Sequence, residues 1–365
     1  MAIPSAVTAQ RRPEETYIVA EIGKGFIQSA DDRPVSEYLA NAIALVDAAA
    51  EAGADAVKFQ THDVTDEQAP VPVVSPHFDG ADRFAWVSRN TRATPVAGFW
   101  QPLIAHCRRR RITFFTTPMS RGAARKLAAF DLPLWKVGSG DLLDYVLLDY
   151  LARTRKPIIV STGMGSLAEV DATVAFLARR QATIGILYCV SHYPAPDSSF
   201  NLASIELLQH MHPQATIGFS DHSIGSDIAL AAIRVGARVL EKHFSFARDL
   251  WGSDHKVSMT PSELKALVGA VRGGASRDVD PSPWYGQRDR ELEGAHNQFR
   301  PYFFKTLVAA CDMPAGTILT PDAVCAMRPR MHLAGLPSDA YPAVIGKSLS
   351  RSVRALEPLP ETALN

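Results

Sequence analysis

Two histidines, His222 and His243, each follow a short β-branched and apolar run, 216–219 and 238–241, and a helical segment joins the runs. Imidazoles delivered by successive strand ends can share one divalent ion, with carboxylates, water or substrate oxygens completing the shell. A pair of unrelated loop histidines is the alternative, but Asp221, Glu241 and Lys242 crowd the same ends and favour a catalytic metal rim. Lys58 and Lys136 occupy inner-face positions on two other strands. In a packed interior an ammonium needs anionic partners. With Ser139 in the Gly-Ser-Gly turn 138–140, the two lysines make a cradle for a phosphate or carboxylate. Further chemically capable side chains stand at or just past strand ends: Glu21, Asp141, Ser161, Ser191, Tyr193, Ser220 and Asp254. His62 and His192 are secondary candidates for substrate contact. His106, His210, His212 and His296 are expected to be structural or exposed.

The elements that must hold these residues alternate. Strands are expected at 17–22, 55–60, 112–116, 134–138, 157–161, 184–189, 216–219 and 238–242. Helices are expected at 36–52, 99–109, 120–129, 144–153, 166–179, 201–211, 225–235 and 261–272, two of them opened by capping boxes at Ser166–Glu169 and Thr260–Glu263. That is the (β/α)₈ count of a TIM barrel. A doubly wound sheet would not need polar chemistry at nearly every strand end. Residues 61–98 are irregular, proline-bearing and too long for a plain connection, which suggests a lid or recognition loop carrying Arg83, Arg89 and Arg92. Arg110 and Arg111 precede a strand and belong to the opposite rim. Residues 1–16 read as a disordered tail, 17–272 as the barrel, 273–301 as a charged linker, and 302–365 as a small β-rich module that must lean on a neighbour for stability.

Lys and Arg number 38, as do Asp and Glu, so no net charge draws the chain to nucleic acid or to an anionic membrane. No stretch is long and apolar enough to span a bilayer. The four cysteines, at 107, 189, 311 and 325, show no pair spacing, so a reducing cytoplasm is the expected compartment and Cys107 and Cys189 are expected in the core.

Motifs in order along the chain, VAEIG (19–23), GADAVKFQT (53–61), FFTTP (114–118), LWKVGSGD (134–141), KPIIVSTGM (156–164), CVSHYPAP (189–196), IGFSDHSIG (217–225), LEKHF (240–244) and GSDHKVS (252–258), closely resemble the sialic acid synthase family. GTILTPDAV, the Arg-Pro at 328–329 and VIGKSL (344–349) resemble the antifreeze-like, or SAF, domain that follows the barrel in that family. The resemblance implies metal-dependent condensation of phosphoenolpyruvate with the open-chain aldehyde of an N-acylated hexosamine, by default N-acetylmannosamine, giving a 2-keto-3-deoxy acid and phosphate. It implies Mn²⁺, or Mg²⁺ or Co²⁺, on His222 and His243. Glu21, Lys58, Lys136 and Asp141 would be catalytic, and Lys58, Thr117, Lys136, Ser139, Ser161, Ser191 and Ser220 would surround phosphoenolpyruvate. Gln60, Tyr193, Asp254 and Arg328 would meet the acceptor, Arg328 by crossing a domain-swapped homodimer. A heptulosonate-type synthase or other barrel aldolase lacks this C-terminal module, and a non-catalytic scaffold has no use for charges buried at a barrel mouth.

The chain departs from the family pattern mainly on the sugar side. KGFIQSADD (24–32) replaces an Asn-His-Asn-Gly-like turn, Asp141 stands for a glutamate, Ser191 for an asparagine, Trp251-Gly252-Ser253-Asp254 lacks a common proline, and RMHLAGL follows the Arg-Pro pair. The acceptor is therefore left open among N-acetylmannosamine, a phosphorylated hexosamine, a diacetamido-trideoxy hexose and a natural-product aldehyde. A phosphorylated acceptor would draw on Lys24, Arg83, Arg89 or Arg92.

Overall fold

A computed structural model describes residues 12–76, 82–288 and 290–365. Eight parallel strands close a barrel in sequence order: β1 Tyr17–Gly23, β2 Ala56–Thr61, β3 Thr113–Pro118, β4 Trp135–Val137, β5 Ile158–Ser161, β6 Ile184–Cys189, β7 Thr216–Asp221 and β8 Val239–His243. Around and between them run α1 Val35–Glu51, α2 Val64–Glu67, α3 Arg83–Ala93, α4 Gln101–Arg110, α5 Arg121–Leu127, α6 Tyr145–Arg153, α7 Leu167–Ala178, α8 Ala203–Met211, α9 Asp227–Val235 and α10 Pro261–Arg272. Both expected capping boxes form, at Ser166 with Glu169 and at Thr260 with Glu263.

Successive strand residues face opposite sides, so the barrel's inside is read every second position. Tyr17, Val19, Ala56, Phe115, Leu134, Ile159, Leu187 and Val239 form one buried apolar cluster that plugs the interior. Two residues further along the same strands come Glu21, Lys58, Thr117, Lys136, Ser161, Cys189 and Glu241, all of which line a cavity at the C-terminal mouth. One step of the pleat thus converts a dry floor into an ionic site. The intervening positions point outward. Lys242 and Asp221, which crowd the histidines in the sequence, form a fully buried pair of their own at 2.7 Å, and Lys242 also donates to the Ser223 carbonyl.

The 61–98 segment is more helical than expected. Its longest helix, α3, buries Arg83, Arg89 and Asn90 alongside Trp86, Val87 and Ala93. Polar residues on the inward face hide the apolar period that would have revealed it. Arg89 holds the 24–32 turn: its guanidinium donates to the carbonyls of Ser29 (2.8 Å), Ala30 (2.9 Å) and Asp31, and pairs with Asp32 (2.7 Å).

Two expected loose segments are packed instead. Residues 1–11 lie outside the described residues, but 12–16 pack on the barrel, where Arg272 donates to the carbonyls of Glu14 and Thr16. The described residues of 273–301 pack against the barrel in short turns, burying Leu292 and Phe299. There Arg300 forks onto Glu169 (2.6 and 2.8 Å), and the Asn297 amide donates to the Ser191 carbonyl (3.0 Å). Turns this short carry no helical or strand period, which is why the stretch reads as a linker.

Beyond it, β9 Thr306–Ala309 pairs antiparallel with β10 Val324–Met327 in a small module of turns and bridges. The module sits on the barrel of the same chain. Gln68 and Arg328 form a parallel bridge, Arg121 donates to the Val324 carbonyl (2.9 Å), and Ser338 Oγ donates to the Leu143 carbonyl (2.7 Å).

Candidate active site

The mouth opens into a cavity that the inward residues of the strand ends line. Parallel register sets Glu21 level with Lys58 on one side and with His243 on the other. Lys58 Nζ lies 2.8 Å from Glu21 Oε2, 2.9 Å from Thr117 Oγ1 and 3.6 Å from Glu241. Lys136 Nζ donates to Ser161 Oγ (2.6 Å) and stands 3.9 Å from Glu241, which accepts from Ser220 Oγ at 3.1 Å. Burial opposes every charge in this group. It lifts the Glu21 carboxyl above its usual range, with Lys58 acting against the rise and Glu241 adding to it. It also lowers Lys136, whereas Lys58, flanked by two carboxylates, ends up raised. The floor therefore holds two ammonium groups, two carboxyl groups and the hydroxyls of Thr117, Ser161 and Ser220.

Ser139 also lines this half, but Ser191 stands behind it, joined Oγ to Oγ at 3.1 Å, and is not part of the cavity wall. Expected in the core, Cys189 lines the cavity instead, its Sγ 4.0 Å from His222 Nδ1. Burial would raise its thiol, yet His222, Ser191 and Lys136 bring it below the ordinary value.

His222 and His243 stand side by side with ring centroids 5.3 Å apart, and Tyr193 stacks at 4.2 Å from His222. His222 Nδ1 lies 2.8 Å from the Val190 carbonyl. A carbonyl only accepts, so Nδ1 carries the proton and Nε2 keeps its lone pair for a metal. Among the described residues no group of three or more His, Cys, Asp and Glu is arranged to hold a metal ion. The two imidazoles fit a divalent ion whose other positions are left to water or substrate oxygens.

The same cavity is also lined by Gln60, Tyr193, Asp254 and Arg328, with Lys24, His62, Glu67, Arg83 and Trp86. Gln60 Nε2 donates to Glu21 Oε1 (2.9 Å), and Lys24 lies 4.0 Å from Asp254. Arg328 arrives from the small module of its own chain, so no exchange between subunits is needed to bring it here. It pairs with Asp141, whose Oδ1 is also 2.9 Å from Lys305. Asp141 is thereby committed to two cations of the small module rather than presented as a free acid or base. Lys305, which the sequence reading missed, also reaches Asp144 at 2.6 Å, the residue that caps α6. Among the arginines of 61–98, Arg83 lines the cavity, stacked 4.3 Å over Phe303, while Arg89 and Arg92 are engaged with the 29–32 turn and do not. His192 lines a neighbouring pocket with Lys256 and not this cavity. Arg110 pairs with Asp47 and Glu51 on α1, as expected of the far rim.

Residues 45–277 match the NeuB family. The chain belongs to that family. Residues 304–365 match the SAF domain. The spore coat polysaccharide biosynthesis protein SpsE of Bacillus subtilis is 31% identical over 353 residues, covering 94% of this chain and 90% of that protein. The N,N'-diacetyllegionaminic acid synthase of Campylobacter jejuni is 28% identical over 350 residues, covering 93% and 98%. An N-acetylneuraminate-9-phosphate synthase of Drosophila melanogaster is 28% identical, covering 95% of each chain. In structure, B. subtilis SpsE superposes with a TM-score of 0.77 at 28% identity, covering 98% of this chain and 97% of the other. This NeuB-family chain is an enzyme of phosphoenolpyruvate-condensing chemistry on a hexosamine-type aldehyde, with a barrel and a SAF domain. No described helix is long and apolar enough to cross a membrane.

Proposed function

We propose that this enzyme condenses phosphoenolpyruvate with the open-chain aldehyde of an N-acylated hexosamine, N-acetylmannosamine by default. The observation that carries this reading is the paired set of buried lysines, Lys58 and Lys136, held by serine and threonine hydroxyls on the barrel floor beside two imidazoles. Buried ammonium groups over a dry floor suit a small substrate with a carboxylate and a phosphate. Lys58, Lys136, Thr117, Ser139, Ser161 and Ser220 take that role, and Ser191 supports Ser139 from behind. Gln60, Tyr193, Asp254 and Arg328 face the acceptor.

With both substrates held in line, C3 of phosphoenolpyruvate bonds to the aldehyde carbon and the carbonyl pair goes to the aldehyde oxygen, which becomes a hydroxyl on taking the proton that Glu21 receives from the water adding at C2. Water adds at C2 and gives its proton to Glu21, whose raised pKa suits a general base. Loss of phosphate from the resulting tetrahedral carbon leaves the 2-keto acid. Lys58 and Lys136 hold the departing phosphate and the carboxylate throughout. When bound by His222 and His243, Mn²⁺, Mg²⁺ or Co²⁺ supplies polarisation of the aldehyde oxygen.

A phosphorylated hexosamine is the second reading, favoured by Lys24 and Arg83 on the acceptor wall. The test is phosphate release from phosphoenolpyruvate with Mn²⁺ and a panel of N-acetylmannosamine, its 6-phosphate and diacetamido-trideoxy hexoses. Turnover with the first supports the default, and preference for the second assigns Lys24 and Arg83 to its phosphate. Silence across the panel with phosphoenolpyruvate still bound would sink the N-acyl sugar reading. A homodimer in a cytoplasmic setting is the proposed assembly.

A further inference from the structure

His62 and Glu67 form a dyad on the acceptor wall that the condensation does not use. Both line the cavity, and both are nearly or fully buried, 6% and 0% exposed. His62 Nδ1 lies 2.8 Å from Glu67 Oε2. Burial acts against the Glu67 carboxylate, but His62, Arg328 and Lys305 outweigh it and bring its pKa down to about 2. Burial also favours the neutral form of His62, against the pull of Glu67 and with the help of Lys24 and Arg328. An ionised carboxylate can only accept, so Nδ1 carries the imidazole's one proton and Nε2 carries the lone pair. That Nε2 is buried and has no hydrogen-bond partner among the described residues. A lone pair left so is costly, and a donor hydroxyl from the acceptor would relieve it.

A hexosamine closed into a pyranose has a saturated C1 with no carbonyl for C3 of phosphoenolpyruvate to attack. We infer that His62, oriented by Glu67, is the base that opens the cyclic acceptor inside the cavity, a ring-opening activity distinct from the condensation and resting on the hexosamine reading above. Nε2 takes the proton from the C1 hydroxyl as the C1–O5 bond breaks. The bonding pair goes to O5, C1 becomes the aldehyde carbon, and O5 takes the proton back from the imidazolium. The sugar neither gains nor loses an atom, and the imidazole ends as it began.

The test needs no phosphoenolpyruvate. Exchange between the α and β anomers of each panel hexosamine is followed by magnetisation-transfer NMR with the full-length protein. The wild type should speed exchange of at least one panel sugar over buffer. His62→Gln keeps a side-chain donor for Glu67 but offers no base, and should lose that acceleration by on the order of 100-fold. In condensation assays the same variant should lower the rate on a cyclising acceptor relative to an aldehyde analogue lacking the ring-closing hydroxyl, by at least about tenfold. A wild type that accelerates no anomer exchange would overturn the inference, as would a His62→Gln variant that retains it. Phosphate release by the wild type tests the condensation separately, so the two failures are distinguishable.

Discussion

Arg328 of the SAF domain and Asp141, just past the end of β4, form a buried ion pair between residues 187 apart in sequence. Lys305 shares the same carboxylate, and the Arg328 backbone bonds both ways with the segment after β2, accepting from Ala69 N and donating to the Glu67 carbonyl. Domain docking and this part of the cavity wall are therefore one structure. Removing Asp141 leaves the buried Arg328 charge without its ion-pair partner, which costs more than the pair contributes, whereas removing Arg328 leaves Asp141 with Lys305.

Arg328→Ala should therefore raise the acceptor KM by about tenfold, the worth of one charge-assisted hydrogen bond, and leave the phosphoenolpyruvate KM within about twofold. Equal effects on both would remove Arg328 from the acceptor wall. The same variant decides how the site is completed. Co-expression of Arg328→Ala with Lys58→Ala leaves every Lys58-bearing site with the raised acceptor KM if each small domain serves its own barrel, as in this chain. If the domains are exchanged in a dimer, one site in the mixed dimer has both residues and the wild-type acceptor KM returns.

The barrel was legible because its inward positions switch from apolar to ionic two residues apart on strand after strand, as in Val19 to Glu21, Ala56 to Lys58 and Leu134 to Lys136. The same rule, applied to Leu187 and Cys189, would have put Cys189 in the cavity rather than the core, and applied to Glu241 and His243 it would have separated both from outward Lys242. What could not be read was contact across distant segments. Lys305 lies in Phe-Phe-Lys-Thr with no period to mark it, and its partners Asp141 and Asp144 are more than 160 residues earlier. Helix α3 was hidden because Arg83, Arg89 and Asn90 occupy its buried face. The chemistry was written in strands, and the recognition wall in loops that only packing brings together.

Glu21 gives the activity an acid limb. A base must be deprotonated to act, so kcat/KM should fall as pH drops through the Glu21 pKa, which burial and Glu241 set above the usual 4.5. Glu21→Gln should lower kcat by on the order of 100-fold and abolish that limb in a pH profile of phosphate release. A limb that persists in the variant would assign it to another group.

The two imidazoles can be tested by binding alone. Titration calorimetry with Mn²⁺ should show a single site per chain in the wild type. His222→Ala or His243→Ala should weaken it by on the order of 100-fold or more, with a matching loss of phosphate release that added metal does not restore. Wild-type affinity for Mn²⁺ in either variant would take the metal away from this pair.

Arg89 is predicted to matter for the sugar side without touching substrate. Its guanidinium satisfies the carbonyls of Ser29, Ala30 and Asp31 and pairs with Asp32, and it lies 5.0 Å over the Trp251 ring on the loop after β8. The arginine thus ties the extended turn after β1, helix α3 and the Asp254-bearing loop into one frame. Arg89→Ala removes the donor from three carbonyls of a partly exposed turn and should destabilise the fold by about 2 kcal/mol in urea unfolding. Arg89→Lys, which keeps the charge but has no fork to span three carbonyls, should recover only part of that. In both variants the acceptor KM should rise while phosphoenolpyruvate binding, set by the rigid strand residues Lys58 and Lys136, holds within about twofold. Wild-type stability in Arg89→Ala would mean that the turn after β1 is held by its own hydrogen bonds and that the frame does not depend on the arginine.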